Sequence, residues 1–278
     1  MSNKVELTAV GSTINGSLSS LATISLCQPL FMLKNSLMTG RGLPRFNFTL
    51  YNGYFVNVIC DQTNQPLAFT INNIYSTRIL EGKTPTLIES ILGGCISGTL
   101  ISPLNSFCER IMIVQQLHPD PQTNKALSIE QVIQKIYRIE GVKGFVKGVV
   151  PTMIRESTNA ACFFGVQKIL AKEFEDVFEN KEKASSLAFI TAGLCAGFFT
   201  FPSDLIKTIL QSNLDGKENH SFKRIRAELI KQEGSNLMKH LIKGCMARTL
   251  LMGCLLGNLG FASTQIPKYL PEMFHKHS

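Results

Sequence analysis

Only a few charged side chains lie inside the long apolar stretches of this sequence, and these are the candidates for contact with a solute. Asp204 and Lys207 follow the apolar run 187–201 and stand three residues apart, so a helix places both on one face. Arg155 is followed directly by Glu156 in another such stretch. A guanidinium binds phosphate or carboxylate through two parallel hydrogen bonds, which makes Arg155 the best candidate for an anion contact. Ionisable groups within a membrane usually face a partner or a water-filled cavity.

Three prolines each stand near the end of an apolar run: Pro29, Pro103 and Pro202. A proline inside a helix removes one backbone hydrogen bond, so we predict a kink at each position. Taken alone, Pro202 and Asp204 would equally fit the first turn of a soluble helix. A second marker recurs as a glycine, at Gly53, Gly148 and Gly244, with spacings of 95 and 96 residues. This fixed period, with two apolar segments in each unit, predicts three copies of a helical pair, as is typical of transport proteins.

The composition favours a membrane protein over the alternative of a soluble helical-repeat protein. Charged residues make up 17% of the 278 positions, which is little for the solvent-facing sides of a soluble helical array. The net charge of +8 would suggest nucleic acid in a soluble protein. Here the basic residues lie mainly at segment ends and in loops, and no RNA-recognition motif or zinc-finger spacing accompanies them. We therefore expect anionic lipid or an anionic solute as partner, and no nucleic acid.

Six apolar stretches have the length needed to cross a bilayer. The predicted spans are 10–38, 53–80, 86–116, 148–172, 185–211 and 244–270. Shorter amphipathic helices are predicted at 129–140 and 221–234, whereas the first repeat is shorter and has a tight turn at 40–44 instead. The predicted repeats are 1–84, 85–180 and 181–278.

The third repeat contains Pro202, Asp204, Lys207 and Gln211, in the pattern proline-x-acid-x-x-base with a glutamine one turn further on. The second repeat contains the run 144–155, with an aromatic-x-basic-glycine step at 145–148. These motifs resemble the signatures of the mitochondrial carrier family, and their recurrence extends the resemblance over almost the whole chain. The resemblance implies an all-α membrane protein with six transmembrane helices, arranged as three pseudo-symmetric helix-pair repeats around a central cavity.

The resemblance also implies a multi-pass monomer in the mitochondrial inner membrane, with cardiolipin among the lipids bound near Gly53, Gly148 and Gly244. The short first repeat is expected to thin one of the three lipid grooves. The divergence of the sequence also resembles nucleotide carriers that intracellular bacterial pathogens secrete, which would place the protein in a host mitochondrion. We expect neither a secretory signal peptide nor an Arg-rich transit sequence at the N-terminus.

In the resembled family, the acid of each signature pairs with the base of the next repeat and closes the cavity on the matrix side. Carried over, Asp204 meets Lys34, Lys207 meets Asn105, and Gln211 braces Lys207. The corresponding contact between Phe31 and Cys108 is apolar. The family's acidic motif on the cytosolic side is absent, so we expect a low barrier there, with net uniport accompanying exchange.

Substrate contacts in the resembled family lie seven and eight residues after each marker glycine. The corresponding pairs are Cys60 and Asp61, Arg155 and Glu156, and Leu251 and Met252. Arg155 is expected to bind an anion, while Asp61 and Glu156 bind an amine or balance Arg155. The alternative is structural, with Arg155 and Glu156 paired to residues of neighbouring helices.

The substrate signals disagree. Residues 57–69 and 160–166 resemble segments of ADP/ATP carriers, which favours a nucleotide such as ATP or ADP. The Arg155–Glu156 pair instead resembles carriers of amino acids, carnitine or S-adenosylmethionine. A third interpretation is a carrier-shaped scaffold that transports nothing.

No catalytic constellation is recognisable, so we predict a transporter rather than an enzyme, with no cofactor and no metal. The five histidines lie in loops or near the C-terminus without metal-ligand spacing. The eight cysteines are scattered singly, and we expect reduced, mostly buried thiols.

Overall fold

The computed structural model describes residues 9–40, 48–80, 86–118, 126–178, 180–214 and 237–269, and its regular structure in these ranges is helical. The α-helices are α1 Ala9–Met38, α2 Tyr54–Ile74, α3 Leu87–Leu117, α4 Ile129–Glu140, α5 Val149–Ala161, α6 Gln167–Glu175, α7 Lys181–Ser212 and α8 Leu237–Tyr269. A π-helical turn, Tyr75–Ile79, extends α2, and a second, Cys162–Val166, joins α5 to α6. The all-α prediction is therefore confirmed.

Six long helical rods form a closed ring. The rods are α1, α2 with its π turn, α3, α5 continuing through its π turn into α6, α7, and α8. Each rod packs against the next along the chain, and α8 packs back against α1. Pro29, Pro103 and Pro202 lie inside α1, α3 and α7, and each helix continues beyond its proline.

The distribution of polar and apolar residues is inverted relative to a soluble protein. Large apolar side chains point outward, among them Phe55 at 75% exposed and Phe199 at 70%. Charged side chains such as Lys34, Arg110 and Asp204 are buried inside the ring. An apolar exterior around a polar interior is the arrangement expected of a membrane protein with a polar cavity.

Four helices are long and apolar enough to cross a membrane: Ile14–Met38, Leu87–Leu117, Lys181–Ser212 and Leu241–Ala262. Within the described residues, the rods at 54–79 and 149–175 do not meet this criterion, although they complete the predicted set of six helical rods. Their composition explains the difference, because polar side chains of both rods, including Asn57, Asp61 and Glu156, line the interior cavity.

Glycines bring neighbouring rods into backbone contact. A Cβ atom added to Gly94 of α3 would lie 2.6 Å from the carbonyl oxygen of Ala160 in α5. A Cβ at Gly193 of α7 would overlap the carbonyl oxygen of Met252 in α8. Small residues spaced four apart let backbones approach closely, and this is the arrangement seen at both interfaces.

The predicted amphipathic helix is present as α4, and it packs beside α3. Ser128 caps its N-terminus in a capping box with Gln131, and Gly141 follows it with φ 65°. Val132 and Ile136 are fully buried in a cluster formed largely by the end of α3. The other predicted amphipathic helix, 221–234, and most of the predicted turn at 40–44 lie outside the described residues.

The third marker glycine does not occupy the predicted place. Gly53 and Gly148 are the N-cap residues of α2 and α5, with φ of 80° and 88°. Helix α8 begins earlier than predicted, at Leu237, so Gly244 lies inside it. Residues 237–243 contain no proline and no glycine before Gly244, so nothing in this segment stops the helix.

Candidate functional site

The ring contains a polar cavity of about 110 Å³. Its lining comes from α1, α2, α3, α5 and α8, and combines carboxylates, guanidinium groups and carboxamides with the leucines of α8. The polar lining residues are Thr23, Asn57, Asp61, Asn64, Gln65, Asn105, Glu109, Arg155, Glu156, Asn159 and Arg248. A concave site in which a few polar groups converge among apolar side chains is typical of small-molecule sites.

An ionic network extends from the lining of this cavity towards the side where α1, α3 and α7 continue past their prolines. Its members are Lys34, Glu109, Arg155, Glu156, Asp204, Lys207 and Arg248. Lys34 Nζ lies 2.9 Å from Asp204 Oδ2, and Arg155 Nη1 lies 3.0 Å from Asp204 Oδ1. Lys207 Nζ lies 2.6 Å from Glu109 Oε2. The network therefore ties α1, α3, α5, α7 and α8 together.

The predicted contact between Lys34 and Asp204 is present, and both side chains are almost completely buried, at 2% and 0% exposed. Lys207 does not pair with the predicted Asn105 but with Glu109. The carboxamide of Asn105 instead donates to Glu156 Oε1 at 2.8 Å and accepts from Asn64 at 3.2 Å. Glu109 lies one helical turn beyond Asn105, so it presents a full charge on the same face of α3.

Arg155 is bound to carboxylates of its own chain. Its guanidinium donates to Glu109 at 2.8 Å, to Asp204 at 3.0 Å and to Glu156. The structural alternative, pairing across helices, therefore describes this conformation. The Nε atom of Arg155 is buried and has no hydrogen-bond acceptor among the described residues.

The other predicted contact residues divide into two groups. Cys60 and Asp61 line the cavity, where Cys60 donates to Asn105 at 3.3 Å and Asp61 accepts from Ser20 and from Gln65. Leu251 is completely buried and does not line the cavity, whereas the adjacent Met252 does. Neighbouring side chains on an α-helix point in different directions, and here the Met252 side chain faces the cavity.

Gln211 braces the backbone rather than Lys207. Its Nε2 atom donates to the carbonyl and hydroxyl oxygens of Ser106 and to the carbonyl oxygen of Lys147. A Cβ at Gly148 would lie 3.3 Å from the Gln211 side chain, and one at Gly53 would lie 3.0 Å from Met112. Gln211 therefore joins α7 to α3 and to the turn before α5.

An apolar cluster borders the opposite end of the cavity and shares Met252, Leu256 and Leu259 with its lining. Phe69 of α2 forms edge-on contacts with Phe163 and Phe164, at centroid distances of 5.7 and 5.5 Å. Phe163 also packs on Phe189 of α7, and the cluster includes Leu256 and Leu259 of α8. Side chains of α2, the α5–α6 rod, α7 and α8 thus converge here, and the described members of the cluster are all apolar.

Sequence reasoning missed Glu109, Asn64 and Asn159 as cavity residues. Glu109 directly follows Cys108, the residue that family alignment places in the gate, so a comparison of single positions overlooks it. Its spacing of four from Asn105 was the available signal. Asn64 and Asn159 stand four residues after Cys60 and Arg155, a spacing that places them on the same helix faces.

Comparison with known proteins connects this geometry to a family. The family model described as "Mitochondrial carrier protein" matches residues 83–177, nearly the range predicted as the second repeat. The mouse mitochondrial carnitine/acylcarnitine carrier protein is 28% identical over 145 residues, 51% of this chain and 48% of that protein. A probable mitochondrial 2-oxodicarboxylate carrier of Dictyostelium discoideum is 24% identical over 260 residues, covering 86% of this chain and 84% of that protein.

A mitochondrial thiamine pyrophosphate carrier of Saccharomyces cerevisiae is 23% identical over 206 residues, 66% of this chain and 63% of that protein. The chain spans about half the length of the carnitine/acylcarnitine carriers that it matches. Taken with the closed ring of helical rods, these matches support a divergent member of the mitochondrial carrier family.

Proposed function

We propose that this chain transports a small anionic metabolite across the mitochondrial inner membrane by alternating access, as a monomer. The observation that carries the proposal is a polar cavity between two different closures, an ionic network at one end and an apolar cluster at the other. Opening the closures in turn would expose the cavity first to one side of the membrane and then to the other.

The ionic network supports a role for the solute in opening. Removing one partner from a buried ion pair typically costs about 3–5 kcal/mol, because the remaining charge has no partner. A negatively charged solute at Arg155 would replace Glu109, Glu156 and Asp204 as partner of the guanidinium. Since a ligand shifts an equilibrium only by its differential affinity for the two states, this exchange of partners would favour opening.

A nucleotide such as ATP or ADP is our first candidate solute. Arg155 and Arg248 line the cavity and offer guanidinium groups to phosphate. The yeast relative is named for a pyrophosphate, a related anion. Residues 57–69 and 160–166 add their resemblance to ADP/ATP carriers.

A zwitterionic solute, such as an amino acid, carnitine or S-adenosylmethionine, is the second candidate. Asp61, Glu109 and Glu156 line the same cavity, so its lining carries three acidic side chains beside the two arginines. The match to carnitine/acylcarnitine carriers agrees with such a solute. A scaffold without transport activity is the third interpretation.

Lipid binding is proposed at two of the three marker glycines. Gly53 and Gly148 cap the N-termini of α2 and α5, where free backbone N–H groups attract a phosphate head group such as that of cardiolipin. Gly244 lies within α8 and does not offer such a terminus.

Uptake by proteoliposomes tests the function. We expect the wild-type protein to accumulate radiolabelled ATP or ADP. Arg155→Ala is expected to reduce uptake at least tenfold, because a hydrogen bond to a charged group contributes about 1.5–3 kcal/mol. Arg138→Ala is the matched control, because Arg138 is exposed on α4. Measurements with and without solute inside the vesicles distinguish exchange from net uniport.

Each alternative has its own outcome in this assay. Uptake of amino acids or carnitine instead of nucleotides would select the second candidate. No uptake of any solute would favour the scaffold, and uptake unaffected by Arg155→Ala would reject Arg155 as the anion contact.

A further inference from the structure

Two asparagines occupy equivalent positions in the first two repeats. Asn64 lies eleven residues after Gly53, and Asn159 lies eleven residues after Gly148. The same step from Gly244 leads to Leu255, and all three residues line the cavity. They lie one helical turn beyond Cys60 and Arg155 along their helices and so form a separate level of the cavity.

The orientation of the Asn64 carboxamide is set by its neighbours. Its Nδ2 atom donates to Cys60 Sγ and to Asn105 Oδ1, each at 3.2 Å. Asn105 in turn donates to Glu156, which also accepts from Arg155. Exchanging the oxygen and nitrogen of Asn64 would lose both donated hydrogen bonds, so the carboxamide oxygen is the atom left over.

That oxygen has no hydrogen-bond donor among the described residues. Asn64 is only 3% exposed, and its Oδ1 atom accepts no hydrogen bond from the described residues. The Oδ1 atom of Asn159 is likewise buried without a donor in the described part of the chain. Buried polar atoms in folded proteins nearly always have a partner, and an unsatisfied one is costly. Two such acceptors in one cavity indicate that donors arrive with a ligand.

We propose that Asn64 and Asn159 accept hydrogen bonds from N–H groups of the transported solute, while Leu255 packs against its apolar part. For a nucleotide, the donor is the exocyclic amine of adenine, held one turn away from the phosphate contact at Arg155. This inference rests on the proposed transport function and makes the level of Asn64, Asn159 and Leu255 the determinant of specificity.

The test compares ATP with purine ribonucleoside triphosphate, which lacks the exocyclic amine and is otherwise identical. In competition for uptake by proteoliposomes, we expect the wild-type protein to prefer ATP by roughly tenfold, the value of one satisfied buried hydrogen bond. Asn64→Leu and Asn159→Leu are each expected to bring this ratio towards one. Asn159→Asp retains an acceptor oxygen, and its added charge acts on both nucleotides alike, so the preference for ATP is expected to survive.

The outcomes separate this inference from the proposed function. Loss of uptake in the leucine variants with an unchanged ratio would indicate a merely structural role and would overturn the inference alone. If the wild-type protein transports amino acids instead, uptake of an amino acid is compared with uptake of its N-trimethyl derivative, which has no N–H group. Equal uptake of the two overturns the inference. Absence of uptake in both arms would overturn the proposed function together with it.

Discussion

Replacing Asp204 by asparagine is expected to destabilise the protein by about 3–5 kcal/mol, the usual cost of removing one partner from a buried ion pair. Asp204 is fully buried and contacts Lys34 at 2.9 Å, Arg155 at 3.0 Å and Arg248 at 3.5 Å. A neutral carboxamide cannot compensate these cations, and its NH₂ group would face at least one of them. The melting temperature of the detergent-solubilised protein measures the effect.

Asp61→Asn is the matched control, because it makes the same chemical change at another aspartate inside the ring. Asp61 accepts hydrogen bonds only from the neutral Ser20 and Gln65 side chains among its described contacts, and a carboxamide oxygen can still accept them. We expect a small change in melting temperature for this variant. Equal losses in the two variants would show that the charge of Asp204 is not what holds the network together.

The second large effect is expected at the interface of α7 and α8. Gly193→Ala places a methyl group against backbone, the carbonyl oxygen of Met252 and, at 2.9 Å, the Cα atom of Gly253. Backbone atoms of two packed helices cannot move aside individually, so the helices must separate. Overpacking of this kind costs about 1–3 kcal/mol or more and is expected to lower both the melting temperature and the yield of folded protein.

Gly257→Ala tests whether the cause is contact with backbone. It lies on α8 at the same interface, but the added methyl group would meet the Cγ1 atom of the Ile190 side chain, at 2.6 Å, and other atoms of that side chain at 3.6 Å. A side chain can change rotamer, so this variant is expected to lose less stability than Gly193→Ala. The reverse order of melting temperatures would contradict close backbone packing between α7 and α8.

The helical architecture was predictable because its determinants are local and repeated. Proline positions, marker glycines and apolar periodicity specified the rods, and α1 ends at the predicted Met38. The start of α8 was missed by seven residues, because the marker at Gly244 was taken as a helix start and the sequence before it carries no stop signal. The π turn at 162–166 leaves no recognisable signal in the sequence.

The site was less predictable than the fold, because partners in it are chosen across space. The contact between Lys34 and Asp204 followed from repeat symmetry. The pairing of Lys207 with Glu109 did not, because Asn105 stands where the symmetry would place an acid. Arg155 could be identified as important from its charge alone. Its three carboxylate partners come from α3, α5 and α7, and only the folded ring brings them together.

Cross-linking between positions 34 and 204 tests the central claim most directly, that these residues form a closure which opens during transport. The protein would carry Lys34→Cys and Asp204→Cys after replacement of its eight native cysteines, and would be treated in proteoliposomes with a short bifunctional thiol reagent. We predict efficient cross-linking without solute, a lower yield in the presence of a transported solute, and loss of uptake once the link has formed. Absence of the cross-link, or continued uptake by the cross-linked protein, would contradict this account.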